Sequence, residues 1–383
     1  MRSTKPGRIL HLIESDGVYG AENVVLALAR EARQDPTFEA LVGCLVKDPS
    51  VANPLHERGT AFGLDAVKLQ LRNYECAFDV GGLVLQLRRL GVALIHAHGY
   101  KASIAGFAAH LVNRTPIIAT CHLWFEDSQC RWTYRVLTAL ERRLYRHFPR
   151  VVAVSDPIAQ RLLQAGVLKA RLEVIPNGIA VEDYTRRDND RVRELRRRFK
   201  ADPGTFVVLN VGRLGEQKAQ CDLVEAAAAL KSEHANLQVL ILGEGHLRPW
   251  LEQQIDTLAL SECVHLLGFQ SDVADYLAVA DAFVLPSIDE GLPIALLEAL
   301  AARVPVVCTP VGAIPTLVED GVSGLIIPVR SPSAIRAALA TLIKAPKVGA
   351  RLAGGADRAL RRCHTSDVMY RKYRQIYADL LGG

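Results

Sequence analysis

Twice in this chain an apolar run empties into a glycine-containing turn and then into a helical pattern. Arg8-Ile9-Leu10-His11-Leu12-Ile13 leads to Gly17-Val18-Tyr19-Gly20-Ala21-Glu22 and a helix through about Glu31. Phe206-Val207-Val208-Leu209-Asn210-Val211 leads to Gly212-Arg213-Leu214-Gly215-Glu216-Gln217-Lys218 and a helix from about Cys221. Strand patterns alternate with helix patterns after each start, so the chain reads as α/β with parallel sheets and crossover helices. In the first half they recur at residues 39–45, 94–98, 117–120, 151–154 and 172–175. In the second they recur near 238–242, 264–267, 282–285, 304–307 and 325–327. Between the halves, Glu182 to Lys200 is dense in charge and poor in core material, which places the domain boundary there. The expected architecture is two Rossmann-like, doubly wound lobes facing each other across a cleft.

The richest segment is Pro286-Ser287-Ile288-Asp289-Glu290-Gly291-Leu292-Pro293. The apolar strand Ala282-Phe283-Val284-Leu285 precedes it, and a helix containing Leu297-Glu298-Ala299-Leu300 follows. Pro293 suits the first turn of that helix. A strand that runs onto a helix N-terminus offers free backbone N–H groups and a positive dipole end to an anion. Glu290 stands at the mouth of that site and Glu298 one to two turns inside. Apolar neighbours surround Glu298, so a solvated face is not expected there. Phosphate at the N-terminus and hydroxyls against the carboxylates describe a nucleotide sugar. Upstream, Arg213 and Lys218 flank a glycine turn at a strand's C-terminal end, where open α/β sheets bind ligands. Two cations there would neutralise a diphosphate, and Gly212 would let the backbone approach it.

These two segments, with Val174-Ile175-Pro176-Asn177-Gly178 and Glu319-Asp320-Gly321-Val322-Ser323-Gly324, resemble the retaining GT-B glycosyltransferases of family 4 (glycosyl transferases group 1). Glu290 and Glu298 have the spacing of that family's E-x7-E motif. The resemblance implies that Arg213 and Lys218 hold the donor diphosphate. It also implies that Glu298 accepts from the ribose hydroxyls and that Glu290 lies at the sugar. Gly17, Gly20, Gly212, Gly291, Leu292 and Pro293 are implied as donor-binding positions. His122, after the strand ending at Thr120-Cys121, is implied beside the donor sugar, orienting a hydroxyl. His96 and His98 also end a strand, and a structural role suits them better. The catalytic set is thus Glu290, His122, Arg213 and Lys218. Residues 1–184 would form the acceptor-side lobe, joined by a crossing helix at 365–383. Residues 185–364 would form the nucleotide-sugar lobe. Departures from the family pattern are Tyr19 and Ala219 where glycine is frequent, Ala180 for an aspartate, and Thr316 for a glutamate.

Composition narrows the alternatives. A net charge of +5 over 383 residues is too mild for general nucleic-acid binding. The eight cysteines form no C-x-x-C pair and several sit in apolar runs, which suits free buried thiols rather than a disulfide framework. No signal-peptide pattern or membrane-spanning run is read, so a cytoplasmic protein is expected. Residues Gln129 to Arg150 interleave arginines with aromatic and aliphatic residues. An ordinary amphipathic helix accounts for that, and so does contact with anionic lipid on the inner face of a membrane. Asp188-Asn189-Asp190 formally reads D-x-D but follows no apolar strand. No metal or other cofactor is expected. The expected partners are a UDP- or GDP-linked hexose or N-acetylhexosamine and a carbohydrate or lipid-linked acceptor. Such an enzyme would serve bacterial surface polysaccharide synthesis. Alternatives are a catalytically silent GT-B scaffold, an epimerase or a sugar phosphorylase. An NAD oxidoreductase is disfavoured because the first turn lacks G-x-G-x-x-G.

Overall fold

A computed structural model of the protein describes residues 6–74, 77–122, 132–185 and 189–382. The chain divides into two compact units, Met1–Ile179 with Ser366–Gly383, and Ala180–Thr365.

The first unit is built on strands β1 (Gly7–Ile13), β2 (Phe38–Val46), β3 (Ala66–Gln70), β4 (Asn73–Tyr74), β5 (Ala77–Phe78), β6 (Val92–His98), β7 (Ile117–Cys121), β8 (Arg150–Ala153) and β9 (Leu172–Val174). Seven form one sheet in the order β3-β2-β1-β6-β7-β8-β9, with every pairing parallel. β4 and β5 pair with each other, antiparallel. The second unit carries β10 (Phe206–Val211), β11 (Leu237–Leu242), β12 (Val264–Leu266), β13 (Ala282–Leu285), β14 (Val306–Cys308) and β15 (Leu325–Ile326). Its sheet runs β12-β11-β10-β13-β14-β15, again parallel throughout. Parallel strands are covered on both faces and therefore need nearly unbroken apolar sequence. β11, Leu-Gln-Val-Leu-Ile-Leu, is buried along its whole length. In each sheet the strand order reverses once, between β1 and β6 and between β10 and β13. Loops leaving the C-terminal ends at such a reversal splay apart and open a crevice for a ligand.

The last helix, Ser366–Leu381, belongs to the first unit. Its stripe of Met369, Tyr370, Tyr373, Ile376 and Tyr377 recurs at helical spacing and is buried. Ser366 N–H donates to the Ile179 carbonyl at 2.9 Å, and Tyr370 hydroxyl donates to Asp35 at 2.9 Å.

Two local readings differ from the sequence expectation. β3 was absent from it, because Ala66-Val67-Lys68-Leu69-Gln70 alternates polar and apolar residues as an edge strand does. The charged stretch 182–200 is not bare of core: the helix Asn189–Arg198 buries Leu195, and Phe199 follows it inward. Gln129 to Arg131 lie outside the described residues. In the helix Trp132–Leu144 and beyond it, Leu137, Tyr145 and Phe148 are core residues, while Arg135, Val136, Leu140, Arg143 and Arg146 face outward. Among the described residues no helix is long and apolar enough to cross a membrane.

Candidate active site

β10 and β13 are neighbours, with Val208 beside Ala282 and Leu209 beside Phe283. Their exit loops therefore lie side by side at the reversal of the second sheet. A short 3-10 turn, Glu216–Lys218, folds the first loop back so that Lys218 passes over Gly212. A Cβ on Gly212 would stand 3.2 Å from the lysine's methylenes. Lys218 Nζ donates to Glu290 Oε1 at 2.5 Å, and the same oxygen accepts from Ser287 Oγ at 2.7 Å. Thr309 Oγ1 donates to the Ser287 carbonyl at 2.6 Å, fixing the serine from behind. Ile288 N–H donates to the Gln217 carbonyl at 2.8 Å, and the Gln217 amide donates to the Asp289 carbonyl at 2.7 Å. The two loops are thus joined at several points, and their charges are held before any ligand arrives. Glu290 is 5% exposed and Lys218 17%. Such a pair gains little net stability over apolar packing, because desolvation offsets the attraction. Its use is in positioning charge.

Glycine is required at one point close to this pair. Gly312 has φ of 57°, and a Cβ there would lie 2.0 Å from the Glu290 carbonyl oxygen. Across the turn, Arg213 is exposed, and its carbonyl accepts from the Gln220 amide at 3.1 Å.

The helix Ile294–Ala301 starts at Pro293, and no side chain caps it. Leu296 N–H donates to the Pro293 carbonyl at 3.2 Å, which leaves the N–H groups of Ile294 and Ala295 as those an anion can satisfy. Gly291, Leu292 and Pro293 are buried at this entry. Further along, Glu298 is 3% exposed, and Tyr184 hydroxyl donates to its Oε1 at 2.8 Å. Burial pushes the Glu298 carboxyl up to about 7.

Ala219 follows Lys218 with φ of 47°, in the left-handed region. Cβ makes that conformation cost about 1–2 kcal/mol, part of which glycine would return as unfolded-chain entropy. Ala219→Gly should therefore raise stability by roughly 1 kcal/mol, read as a higher urea midpoint at unchanged slope. An equal or lower midpoint would show that the turn carries no such strain.

In the first unit, the turn after β1 is closed by its own side chains. Gly17 N–H donates to Ser15 Oγ at 3.1 Å, and Ser15 Oγ donates to the Gly17 carbonyl at 2.7 Å. Tyr19 lays its ring where a Cβ on Gly17 would stand, 2.5 Å away. Gly20 opens the helix Gly20–Ala32, and Glu22 accepts from Tyr19 N–H at 3.0 Å. Glu22 thus serves the helix start, as helix-terminus acids do.

His122 is half-buried at the end of β7, with Nε2 3.1 Å from His98 Nδ1. His98 Nε2 lies 3.3 Å from His11 Nδ1. His96 is fully enclosed, bonded to Tyr377 hydroxyl at 2.8 Å and Thr120 hydroxyl at 2.7 Å. Burial lowers His122 to about 4 and His11 to about 3, and it depresses His96 and His98 strongly, so all four rings are neutral near pH 7. Among the described residues, His11, His96 and His98 are the one group of three whose metal-ligating atoms lie within 4.8 Å of one another. The D-x-D segment has Asp188 outside the described residues, and Asp190 pairs with Arg193 on its own helix.

The sequence placed Lys218, Glu290 and Glu298 in one unit, and the structure brings Lys218 and Glu290 into contact. It did not assign roles to Ser287, Thr309, Gln217, Tyr184 or Gly312. Ser287 lay inside the motif and could have been suspected. Tyr184 and Thr309 reach the acids from distant segments, which no local pattern reveals.

Comparison with known proteins bears on the whole chain. Residues 18–183 match Glycosyltransferase Family 4, and residues 191–358 match Glycosyl transferases group 1. The alpha-D-kanosaminyltransferase of Streptomyces kanamyceticus is 29% identical over 283 residues, 71% of this chain and 73% of its own. The amylovoran biosynthesis glycosyltransferase AmsK of Erwinia amylovora is 32% identical over 212 residues, 51% of this chain and 50% of its own, so the chain spans about half of that relative. Among solved structures, Anabaena Alr3699/HepE in complex with UDP-glucose superposes with a TM-score of 0.82 at 23% identity, covering 97% of this chain and 100% of that one. Two parallel sheets with paired exit loops, and domain matches running from residue 18 to residue 358, identify the chain as a member of the GT-B glycosyltransferases, with a family 4 domain followed by a group 1 domain.

Proposed function

We propose that the protein is a metal-independent, retaining transferase that moves a hexose or N-acetylhexosamine from a nucleoside-diphosphate sugar to a carbohydrate or lipid-linked acceptor. The observation that carries this reading is the Lys218–Glu290–Ser287 cluster beside an uncapped helix N-terminus at the β10/β13 reversal. In transfer the bond from the anomeric carbon to phosphate breaks, and negative charge grows on the departing diphosphate. Fixed positive groups stabilise that charge more in the transition state than in the ground state. Lys218, Arg213 and the helix N-terminus supply them, which supports a reaction without metal. Glu290 would meet the sugar and Glu298 the ribose. His122 would orient a sugar hydroxyl. The E-x7-E register supports retention by front-face transfer: the acceptor oxygen bonds to the anomeric carbon while its proton passes to a donor phosphate oxygen.

UDP as the nucleotide is supported by the HepE complexes, and surface polysaccharide as the product by AmsK. Exposed Arg135, Val136, Leu140, Arg143 and Arg146 support docking on anionic lipid, within a cytoplasmic, peripheral enzyme. Incubation with UDP-glucose, UDP-galactose, UDP-N-acetylglucosamine and GDP-mannose in EDTA, with UDP and GDP binding measured alongside, tests the proposal. Release of nucleoside diphosphate from one donor is expected once acceptor is present. A protein that neither binds nor releases either nucleotide would fit a silent scaffold instead.

A further inference from the structure

His11, His96, His98, Thr120 and His122 share one face of the first sheet for a simple reason. His96 and His98 are two apart on β6, and Thr120 and His122 are two apart at the end of β7. Side chains two apart on a strand point the same way. The parallel register sets His11 beside His96, and His98 beside Thr120. Tyr373 and Tyr377 of the last helix close that face: Tyr373 hydroxyl meets Thr120 Oγ1 at 2.8 Å, and Tyr377 meets His96. The result is a line of rings from the sheet interior to the C-terminal end of β7, His11–His98–His122, with contacts of 3.3 and 3.1 Å.

A neutral imidazole has one N–H and one lone pair, so such a line can run in only two ways. If His11 carries its proton on Nδ1, it donates to His98 Nε2. His98 Nδ1–H then donates to His122 Nε2, and His122 keeps its proton on Nδ1. If the line runs in reverse, His122 Nε2–H donates inward and the final proton sits on His11 Nε2. That atom is buried and has no hydrogen-bond partner. A buried N–H without an acceptor is the rarer and costlier orphan. The outer end agrees with this. His122 lines a cavity that is also walled by Glu14, Glu22 and Glu141 with Arg142. Three carboxyl groups against one guanidinium make acceptors the more numerous groups in that wall.

We propose that His98 and His11 are positioning residues that fix the tautomer of His122, turning its Nδ1–H outward at the end of β7 and its Nε2 lone pair inward. His122 then offers one hydrogen-bond donor and no acceptor, and the group it meets must be an acceptor such as a hydroxyl or carbonyl oxygen of a sugar. That ligand class rests on the glycosyl-transfer reading above, whereas the tautomer does not.

The test is long-range ¹H–¹⁵N NMR of histidine-labelled protein without substrate, with His122 assigned by its loss in His122→Gln. The expected result is that His122, His98 and His11 are each protonated on Nδ1. His122 protonated on Nε2 would overturn the proposal. So would stoichiometric zinc in the purified protein bound through a His98 nitrogen, since that ring could then no longer accept from His11 and donate to His122. The second arm is His11→Asn, which removes the orphaned Nε2 and sets in place of Nδ1 an amide that can turn either its oxygen or its NH2 to His98, so that either direction of the line is satisfied. It should fold and leave His122 a mixture of both tautomers, and kcat should fall several-fold with little change in donor KM. A His122 signal still wholly Nδ1–H in that variant would break the link between the rings. Should His11→Asn fail to fold, the wild-type tautomers decide alone. Correct tautomers in a protein that neither binds nor turns over a nucleotide sugar would refute the transfer reading and leave the relay standing.

Discussion

Lys218→Met should lower transfer by about 10²–10³-fold in kcat, the usual loss when one preorganised charge at a transition state is removed. Methionine keeps the stem that covers Gly212 and deletes only the ammonium. The complication is stability, because Glu290 would remain buried beside Ser287 without its cation. Breaking a buried pair from one side costs about 3–5 kcal/mol, less here because water still reaches part of Lys218. The double variant Lys218→Met/Glu290→Gln separates the two effects. It replaces the charge pair with neutral groups, so its urea midpoint should return towards wild type while transfer stays lost. Recovery of both together would mean that Lys218 serves the fold and not the chemistry. Full turnover by folded Lys218→Met would remove the diphosphate assignment altogether.

How far the sequence led depends on which interactions are local. Strand-turn-helix starts at Arg8 and Phe206 set the fold class, because parallel strands demand apolar runs and their exits demand turns. Glu290 and Glu298 were readable for a similar reason, lying on one loop and its own helix. The turn at Ala219 was singled out for lacking glycine, and the structure gives the cost, a left-handed alanine. What stayed hidden came from across the fold. Tyr184 reaches Glu298 over 114 residues, and Tyr377 reaches His96 over 281. A tyrosine's sequence neighbours do not say which buried group its hydroxyl will find. The histidines are an intermediate case. His96-Ala97-His98 shows the period of a strand, but the line to His11 and His122 needs the register between strands, which only the folded sheet supplies.

Glu298→Gln should change the pH dependence of stability as well as nucleotide binding. In the fold, burial holds Glu298 near 7, against an ordinary 4.5. The native protein therefore keeps a proton that the unfolded chain releases between these values. The contribution of Glu298 to stability falls as pH rises through that window and is lost just above 7, while the four buried histidines, held below their ordinary 6.5, act in the opposite sense up to that pH. For a shift of this size the loss is about 3–4 kcal/mol, at 1.36 kcal/mol per pH unit. Glu141, buried against Tyr145 and also raised to about 7, adds a slope of the same sign. Glu298→Gln should match wild type below pH 4.5 and exceed it at pH 8, the difference between the two opening across that range. Urea midpoints from pH 4.5 to 8 provide the check, and parallel curves for the two proteins would show that Glu298 is not held protonated by burial. Binding should move the opposite way. An ionised Glu298 accepts from ribose hydroxyls with both oxygens, whereas a protonated carboxyl or an amide offers fewer lone pairs. Wild-type affinity for UDP should then rise from pH 6 to 8, and Glu298→Gln should bind roughly ten-fold more weakly at pH 8 with that rise abolished, the amount expected for one charged hydrogen bond. A carboxylate that weakens the fold at neutral pH while strengthening the grip on nucleotide is what a binding residue, and not a structural one, would show.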